Sequence, residues 1–487
     1  MQRFDPGPSR RRFLVLAGAA GAVTLLSACS AAPAATSAAQ NANAGRTPAP
    51  AGQAAPVGGA APALSKPATI QVLTFVDALS GSDARGLALQ QINANFLQKY
   101  PNVTVKFQIV PFDQLGPKYM TAFAAGNAPD VTFVRDDYFV RINEQGGLAD
   151  LNQWMKEWSK SELADFYNAA GFARGVVGDK RYLMYTFGSV SGLHYRKELF
   201  QQANVDPASI KTWDDWAAAL TKVCVDKGGK HPGQAGFDPN NVAVWGFTEA
   251  RLVTKNDFDS QLEAAMLGLG QALLTPDARS NWNNDAGIRS MTMWTDLIVK
   301  HNVQPIDDIT REREGSDQLF QQGLSASTWI ANQRYKDFLD KSSWNAKDNL
   351  AFMEWPSFDG NKPSPVGVGA WTMGISSRSQ NMDAAWAWLS HYLSAESDAI
   401  MARVGGVLPS RLSTLNDPAF NTPNFAYFKQ YLDVAAKGSF EPSRAIAKVT
   451  PATENGTAFQ DIVVNHMPVA EAIQRSADRF DKAEAAA

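Results

Sequence analysis

The sequence predicts an α/β fold made of more than one domain. Short apolar runs rich in β-branched residues alternate with amphipathic helical segments over residues 69–134. This alternation favours a mainly parallel sheet flanked by helices. The chain has 487 residues, and since a domain commonly takes about 150 residues, we expect about two or three domains.

Periodicity defines the first three elements. Residues 69–76 are apolar and β-branched, as in a buried strand, and Asp83 can cap the helix that follows. Over 84–100 apolar residues recur at helical spacing until Pro101. Apolar and polar residues then alternate over 103–109, which predicts a strand.

A second helix and a third strand continue the pattern. Residues 112–125 have an apolar helical face and end at Gly126, and 129–134 form the next apolar run. Two consecutive strand-helix-strand units result, so we expect the three strands to lie parallel in one sheet.

The loops after the first and third strands are predicted to share one rim. Ligands of such sheets bind beyond the carboxyl ends of the strands. Phe75 and Asp77 follow the first strand, and Arg135, Asp136 and Asp137 follow the third. We therefore expect a ligand site at this rim.

Further helical faces carry tryptophans that we expect in the core. Thr212 begins a pattern typical of a capping box. Trp213 and Trp216 lie on one helical face, and Trp294 and Trp386 lie on two others.

Composition excludes several classes of function. The 45 Lys and Arg residues nearly balance the 48 Asp and Glu residues, and basic residues cluster only near the N-terminus, so we expect no nucleic-acid partner. Two cysteines and five separated histidines do not suit a disulfide framework or a zinc site. We expect no metal and no cofactor.

The N-terminus has the pattern of an export signal. Arg10, Arg11 and Arg12 precede Phe13, Leu14 and an uncharged stretch over 15–28 that is too short to span a bilayer comfortably as a helix. The arginines resemble a twin-arginine signal, and the sequence Leu-Ser-Ala-Cys ending at Cys29 resembles a bacterial lipobox. We expect 1–28 to be removed and Cys29 to be lipidated.

Residues 29–66 are predicted to form a lipidated cysteine and a flexible tether. The segment consists almost entirely of Ala, Pro, Gly, Ser, Thr, Gln and Asn without apolar periodicity. It would hold a folded body at the extracytoplasmic face of the cell membrane, anchored through Cys29.

Eight segments form a series of motifs along the chain: 96–103, 123–131, 146–151, 193–200, 212–213, 320–326, 366–369 and 406–411. The most specific of them is 123–131, Phe-Ala-Ala-Gly-Asn-Ala-Pro-Asp-Val. In this order they resemble the motifs of the family 1 extracellular solute-binding proteins of ATP-driven importers. One departure is Arg196, where the family often has Asn.

The resemblance implies a two-lobed periplasmic-binding-protein-like fold with a ligand cleft between the lobes and closure by hinge bending. It implies capture of a small solute, without catalysis, and delivery to an ABC permease. Its implied boundaries are lobe 1 over 67–186, lobe 2 over 187–353, a return to lobe 1 over 354–395, and C-terminal helices over 396–487 that brace both lobes.

A carbohydrate is the favoured solute, since sugar sites combine flat aromatics with polar groups that form paired hydrogen bonds. Several aromatics lie near the expected cleft segments, and Arg411 matches the end of a family motif. The candidate ligand-binding residues are Phe75, Asp77, Asp136, Asp137, Tyr185, Trp245, Trp282, Trp329, Trp371 and Arg411.

Two alternatives stay open at this stage. One is a secreted, lipid-anchored glycoside hydrolase, because paired carboxylates such as Asp136 and Asp137 serve glycosidic cleavage. No nucleophile elbow supports an enzyme, since Val190 stands where the serine is required. The other is the same fold with a polyamine or peptide as its cargo, for which converging carboxylates would be needed.

Overall fold

The computed structural model describes residues 64–81, 83–156, 158, 160–166, 175–250 and 258–487. The predicted export signal, Cys29 and most of the tether lie outside the described residues. Within the described part, no helix is long and apolar enough to cross a membrane.

Twelve strands are described. They are β1 (Ala68–Thr74), β2 (Val103–Ile109), β3 (Val131–Val134), β4 (Val176–Val177), β5 (Lys180–Arg181), β6 (Met184–Arg196), β7 (Val225–Asp226), β8 (Val242–Val244), β9 (Ser327–Ala331), β10 (Leu350–Met353), β11 (Val366–Ile375) and β12 (Ser439–Phe440).

The described α-helices follow in chain order. They are α1 (Ala84–Lys99), α2 (Leu115–Ala124), α3 (Asp136–Glu144), α4 (Asn152–Met155), α5 (Lys160–Ala164), α6 (Lys197–Gln202), α7 (Trp213–Val223), α8 (Phe258–Gly268), α9 (Asp285–Val299), α10 (Arg313–Gln321), α11 (Tyr335–Lys341), α12 (Ala346–Asn349), α13 (Met382–Tyr392), α14 (Ala395–Arg403), α15 (Leu412–Leu415), α16 (Ala426–Lys437), α17 (Pro451–Val463) and α18 (Val469–Ala486).

The predicted caps are present at the helices they concern. Asp83 accepts a hydrogen bond from the Gly86 N–H at 2.7 Å at the start of α1. At α7, Thr212 accepts from the Asp215 N–H and Asp215 accepts from the Thr212 N–H, which is the predicted capping box. Each cap satisfies N–H groups that have no partner within their own helix.

The central sheet is mixed. Strand order is β10-β6-β11-β3-β1-β2, with β12 beside β11 and β9 beside β6. The predicted parallel arrangement is confirmed for β1, β2 and β3. However, β11 runs antiparallel to β3 and β6, and β6 runs antiparallel to β9 and β10. The expectation of a mainly parallel sheet in each lobe is therefore corrected to a mixed sheet. The reason is that the two long strands β6 and β11 pair with each other in opposite directions.

The described residues form two hydrophobic cores, which we call the first core and the second core. The first core joins β1, β2 and β3 to α1, α2 and α13. The second core joins the later part of β6 to α7, α8, α9 and the C-terminal helices. Along β6, Phe187 belongs to the first core and Val190 to the second, so one strand connects both.

The four tryptophans predicted to be core residues are buried. Trp213, Trp216 and Trp294 pack together in the second core, with Trp213 and Trp294 ring centroids 5.4 Å apart. Trp386 is buried in the first core. The C-terminal helices α17 and α18 lie in the second core, and Lys448 approaches Glu144 of α3 at 3.9 Å.

Candidate functional site

The segment where β6 passes from one core to the other is held by side chains that follow β9. The Asn332 amide oxygen accepts from the Val190 N–H at 2.6 Å, and its nitrogen donates to the Gly188 carbonyl at 3.3 Å. Ser189 donates to the Gln333 side-chain oxygen at 3.1 Å. The Asn332 side chain thus continues the β6–β9 ladder by one more rung beyond the Ser191–Ala331 pair.

Five aromatic rings meet at the carboxyl ends of β1 and β3. We call Phe75, Phe112, Phe133, Phe187 and Trp371 the aromatic cluster. Trp371 contacts the other four, with Phe75 at 4.6 Å, Phe112 at 5.2 Å, Phe187 at 5.6 Å and Phe133 at 6.4 Å between ring centroids. Phe112 is 38% exposed, and Phe75 and Trp371 are partly exposed. The cluster therefore presents an apolar surface to solvent at the predicted rim.

Two arginines flank the aromatic cluster. The Arg85 guanidinium carbon lies 5.6 Å from the Phe75 ring centroid, and that of Arg135 lies 4.3 Å from the Phe112 centroid. Cations at these distances are attracted to the negative ring faces. The apolar surface thus carries positive charge at two of its edges.

Two of the predicted tryptophans, Trp329 and Trp245, lie on and beside β9 on the side of the second core. Trp329 of β9 is nearly buried beneath Arg313, whose guanidinium carbon lies 5.0 Å from the ring centroid. Arg313 also lies 3.9 Å from a Glu249 carboxylate oxygen. Trp245 is partly buried, and its backbone bonds to Leu324 and Ala326 beside β9.

A buried carboxylate orders the loop that carries Glu249. Asp308 accepts from the Glu249 N–H at 2.9 Å, the Thr248 hydroxyl at 3.1 Å, the Gln304 amide at 3.0 Å and Arg311 Nε at 2.9 Å. Burial raises the pKa of Asp308 to about 6, and these donors oppose the rise.

The three predicted rim aspartates follow two different strands, β1 and β3. Asp77 accepts from the N–H groups of Leu79 and Ser80 at 3.1 and 2.9 Å, and so orders the turn after β1. Asp136 and Asp137 are the first two residues of α3, directly after β3. Their backbone therefore lies at the predicted rim.

Four predicted site residues are buried: Tyr185, Trp282, Trp329 and Arg411. Trp282 is 0% exposed, donates to the Ser476 hydroxyl at 2.8 Å and packs on Phe480. Its sequence context is polar and loop-like, but helix α18 packs against it from almost two hundred positions away. Tyr185 is buried in the first core and Trp329 in the second. We leave these three residues out of the proposed site.

Arg411 is the fourth buried residue of the predicted site. Its side chain is 1% exposed, its Nη1 pairs with Asp165 at 3.1 Å, and its Nε donates to the Leu393 carbonyl at 2.8 Å. Its guanidinium carbon also lies 4.4 Å from the Phe166 ring centroid. Because its donors are engaged by the protein, Arg411 has a structural role and is also left out of the proposed site.

Of the predicted residues, Phe75 and Trp371 are brought together, while Phe112 and Arg85 were missed. Phe112 stands just after β2, so the rule that selected Phe75 would also have selected it. Arg85 lies in the first turn of α1, which that rule does not cover. The proximity of Phe112 to Trp371, which is more than 250 positions further along, could not be read from local spacing.

Residues 80–399 match the family model described as bacterial extracellular solute-binding protein. The chain belongs to this family. The family is an extracellular one, which implies an extracytoplasmic location. The match includes both arginines and every ring of the aromatic cluster except Phe75.

Individual relatives of this solute-binding protein are distant in sequence. A protein of Brucella abortus named as a binding protein is 22% identical over 394 residues, which cover 78% of this chain and 84% of the relative. An ABC substrate-binding protein of Listeria monocytogenes in complex with cycloalternan superimposes with a TM-score of 0.70 at 19% identity, covering 86% of this chain and 99% of that chain. Maltose-bound MalE3 of T. maritima gives 0.70 at 18% identity, covering 85% and 100%. These similarities confirm the two-lobed fold.

Proposed function

We propose that the protein captures a carbohydrate in the cleft between its lobes and delivers it to the permease of an ABC importer. The observation that carries the proposal is the partly exposed aromatic cluster at the carboxyl ends of β1 and β3. The C–H faces of sugar rings pack on aromatic rings, and the surrounding polar groups can orient the hydroxyls. The related structures with cycloalternan and maltose support this class of solute.

The proposed site combines aromatic rings of the first core with residues of the second. Phe75, Phe112 and Trp371 would supply the stacking surface. Trp245, beside β9, would face it from lobe 2, and Asp77, Asp136 and Asp137 would stand at the rim. Lobe 1 over 67–186 and 354–395 and lobe 2 over 187–353 remain our proposed boundaries, with the C-terminal helices bracing both lobes.

Closure would follow from differential binding. A solute that contacts both lobes stabilises the closed state by its extra affinity for that state, and the permease would recognise the closed form. The β6 segment between Phe187 and Val190, held by Asn332, is our proposed pivot.

We also propose that Cys29 carries a lipid and that 30–66 is the tether to the membrane. Cys29→Ala should release the protein from the membrane fraction after export. Retention of the variant in that fraction would contradict lipid anchoring.

A thermal-shift panel tests the capture of carbohydrate. The purified full-length protein is heated with mono- and oligosaccharides, polyols, polyamines and peptides. A ligand at a hundredfold excess over its Kd stabilises the folded state by about 2.7 kcal/mol. Stabilisation by a sugar recovered chemically unchanged supports the proposal, stabilisation only by amines or peptides contradicts the cargo, and consumption of the sugar would indicate an enzyme.

A further inference from the structure

A further connection joins the two cores outside the strands β6 and β11. The 3-10 turn Ser443–Ile446 lies beside α3, the helix that packs in the first core through Ile142. The residue after the turn, Ala447, is 0% exposed in the second core. We call residues 443–449 the bridging segment, because they extend from the second core to a helix of lobe 1.

Two carboxylates hold the bridging segment on the side of the second core. Glu263 of α8 is 3% exposed and accepts from the Ser443 N–H at 2.9 Å and from the Ser443 hydroxyl. Glu484 of α18 accepts from the N–H groups of Lys448 and Val449, each at 2.9 Å. Hydrogen bonds to an ionised carboxylate are among the stronger ones in proteins. The bridging segment is therefore fixed to the body that contains α8 and α18.

The ion pair between the bridging segment and lobe 1 is of a weaker kind. Lys448 Nζ lies 3.9 Å from Glu144 Oε1 at the end of α3, and the two side chains are 36% and 54% exposed. Water and salt screen an ion pair this exposed, so it contributes little to stability. We therefore expect the bridging segment to stay with the second core and to leave α3 when the lobes separate.

The helix α3 also borders the proposed site. It begins at Asp136, directly after β3, at the rim where the aromatic cluster lies. The proposed pivot between Phe187 and Val190 lies on β6, and the bridging segment reaches α3 without passing through it. A rotation about that pivot that opens the cleft would move α3 relative to the bridging segment.

We propose that residues 443–449 form a latch that is fixed to the second core and docks on α3 when the cleft closes. This inference rests on the proposed function and adds the element that sets the balance between the open and closed states. A docked latch stabilises the closed state before the solute arrives, so a larger fraction of the protein is competent to bind. Because the apparent Kd is the intrinsic Kd divided by that fraction, loss of the latch weakens the binding of every solute by one common factor.

Charge reversal across the contact tests the latch. The variants are Lys448→Glu, Glu144→Lys and the double variant that carries both changes and so restores opposite charges. Lys300→Glu is the matched control, because Lys300 forms an exposed ion pair with Asp296 at 3.6 Å that stays within lobe 2, at the end of α9. All variants are compared with the wild type as full-length proteins.

Spin labels on the two lobes report closure without any solute. Thr121→Cys on α2 and Lys222→Cys on α7 provide exposed helical positions for the labels. They are introduced in a Cys29→Ala background, and Cys224 stays unlabelled because it is buried and burial raises the pKa of its thiol to about 12. Double electron–electron resonance then gives the distance between the labels. Isothermal titration calorimetry gives the Kd for the sugar that stabilises the wild type most.

We expect the ligand-free wild type and Lys300→Glu to populate the distance that the structure gives for the two labels. Lys448→Glu and Glu144→Lys should reduce that population and raise the Kd about two- to fivefold, and the double variant should restore both. The inference is overturned if the ligand-free wild type lacks that distance, if the single variants leave its population unchanged, or if the double variant restores nothing. If no sugar stabilises the protein, the proposed function fails, while the distances in the ligand-free variants still decide the latch.

Discussion

Phe112→Ala tests the aromatic cluster at its most exposed ring. A phenylalanine covers about 150–250 Å² when fully buried. Because Phe112 is 38% exposed, a solute lying across it would cover about 60–95 Å², worth roughly 1.5–2.4 kcal/mol at about 25 cal/mol per Å². Each tenfold change in Kd corresponds to about 1.4 kcal/mol, so we expect the Kd to rise about ten- to fiftyfold.

The substitution should affect binding much more than folding. Truncation of a fully buried Phe costs about 3–5 kcal/mol, and an exposed ring costs less. The assay is isothermal titration calorimetry with the carbohydrate that stabilises the wild type most. Val464→Ala, at a 48% exposed position after α17, is the matched control for the loss of exposed apolar surface. An unchanged Kd for Phe112→Ala would refute the stacking surface.

Three further predictions concern the cluster, a structural ion pair and a buried acid. Trp371→Ala should weaken carbohydrate binding at least tenfold without abolishing cooperative unfolding. The control Trp344→Ala removes a partly exposed tryptophan packed on Phe320 and should leave the affinity measured by calorimetry unchanged. Equal affinities of Trp371→Ala and the wild type would remove Trp371 from the site. Arg411→Met should lower the free energy of unfolding in urea by roughly 3–5 kcal/mol, because it leaves a carboxylate of a buried pair without its partner; no change in the urea midpoint would contradict this structural role. The pKa of Asp308 is about 6 in the folded state, against the ordinary value of 3.8. Between these two pH values the folded state therefore binds more protons than the unfolded state. The stability from this group is present below pH 3.8 and is lost as the pH rises through 6. The free energy of unfolding of the wild type minus that of Asp308→Asn should therefore fall by up to about 3 kcal/mol as the pH rises from below 3.8 to 7. A rise in this difference over that range would refute the assignment.

Features that depend on nearby residues were predictable from the sequence. The cap at Asp83, the capping box at Thr212 and the buried face of Trp213 and Trp216 all depend on side chains three or four positions apart. The order of the first five elements also followed from periodicity. Ordered motifs over much of the chain indicated the solute-binding family, which the match over 80–399 confirmed.

Features that depend on distant partners were decided by the tertiary structure. The identity of a neighbouring strand determines whether the sheet is parallel or mixed, and β6 and β11 are about 180 positions apart. Trp282 lies in a polar stretch of the sequence and is nevertheless buried, with α18 packed against it.

The sequence by itself determined the class of protein, the local elements and the rim that carries Phe75. The tertiary structure decided which rings meet Trp371 and that Arg411 is neutralised by Asp165. The physical reason is that periodicity and capping act within one or two helical turns. Burial and electrostatic environment, in contrast, depend on all residues that fold onto a position, whatever their separation in the chain.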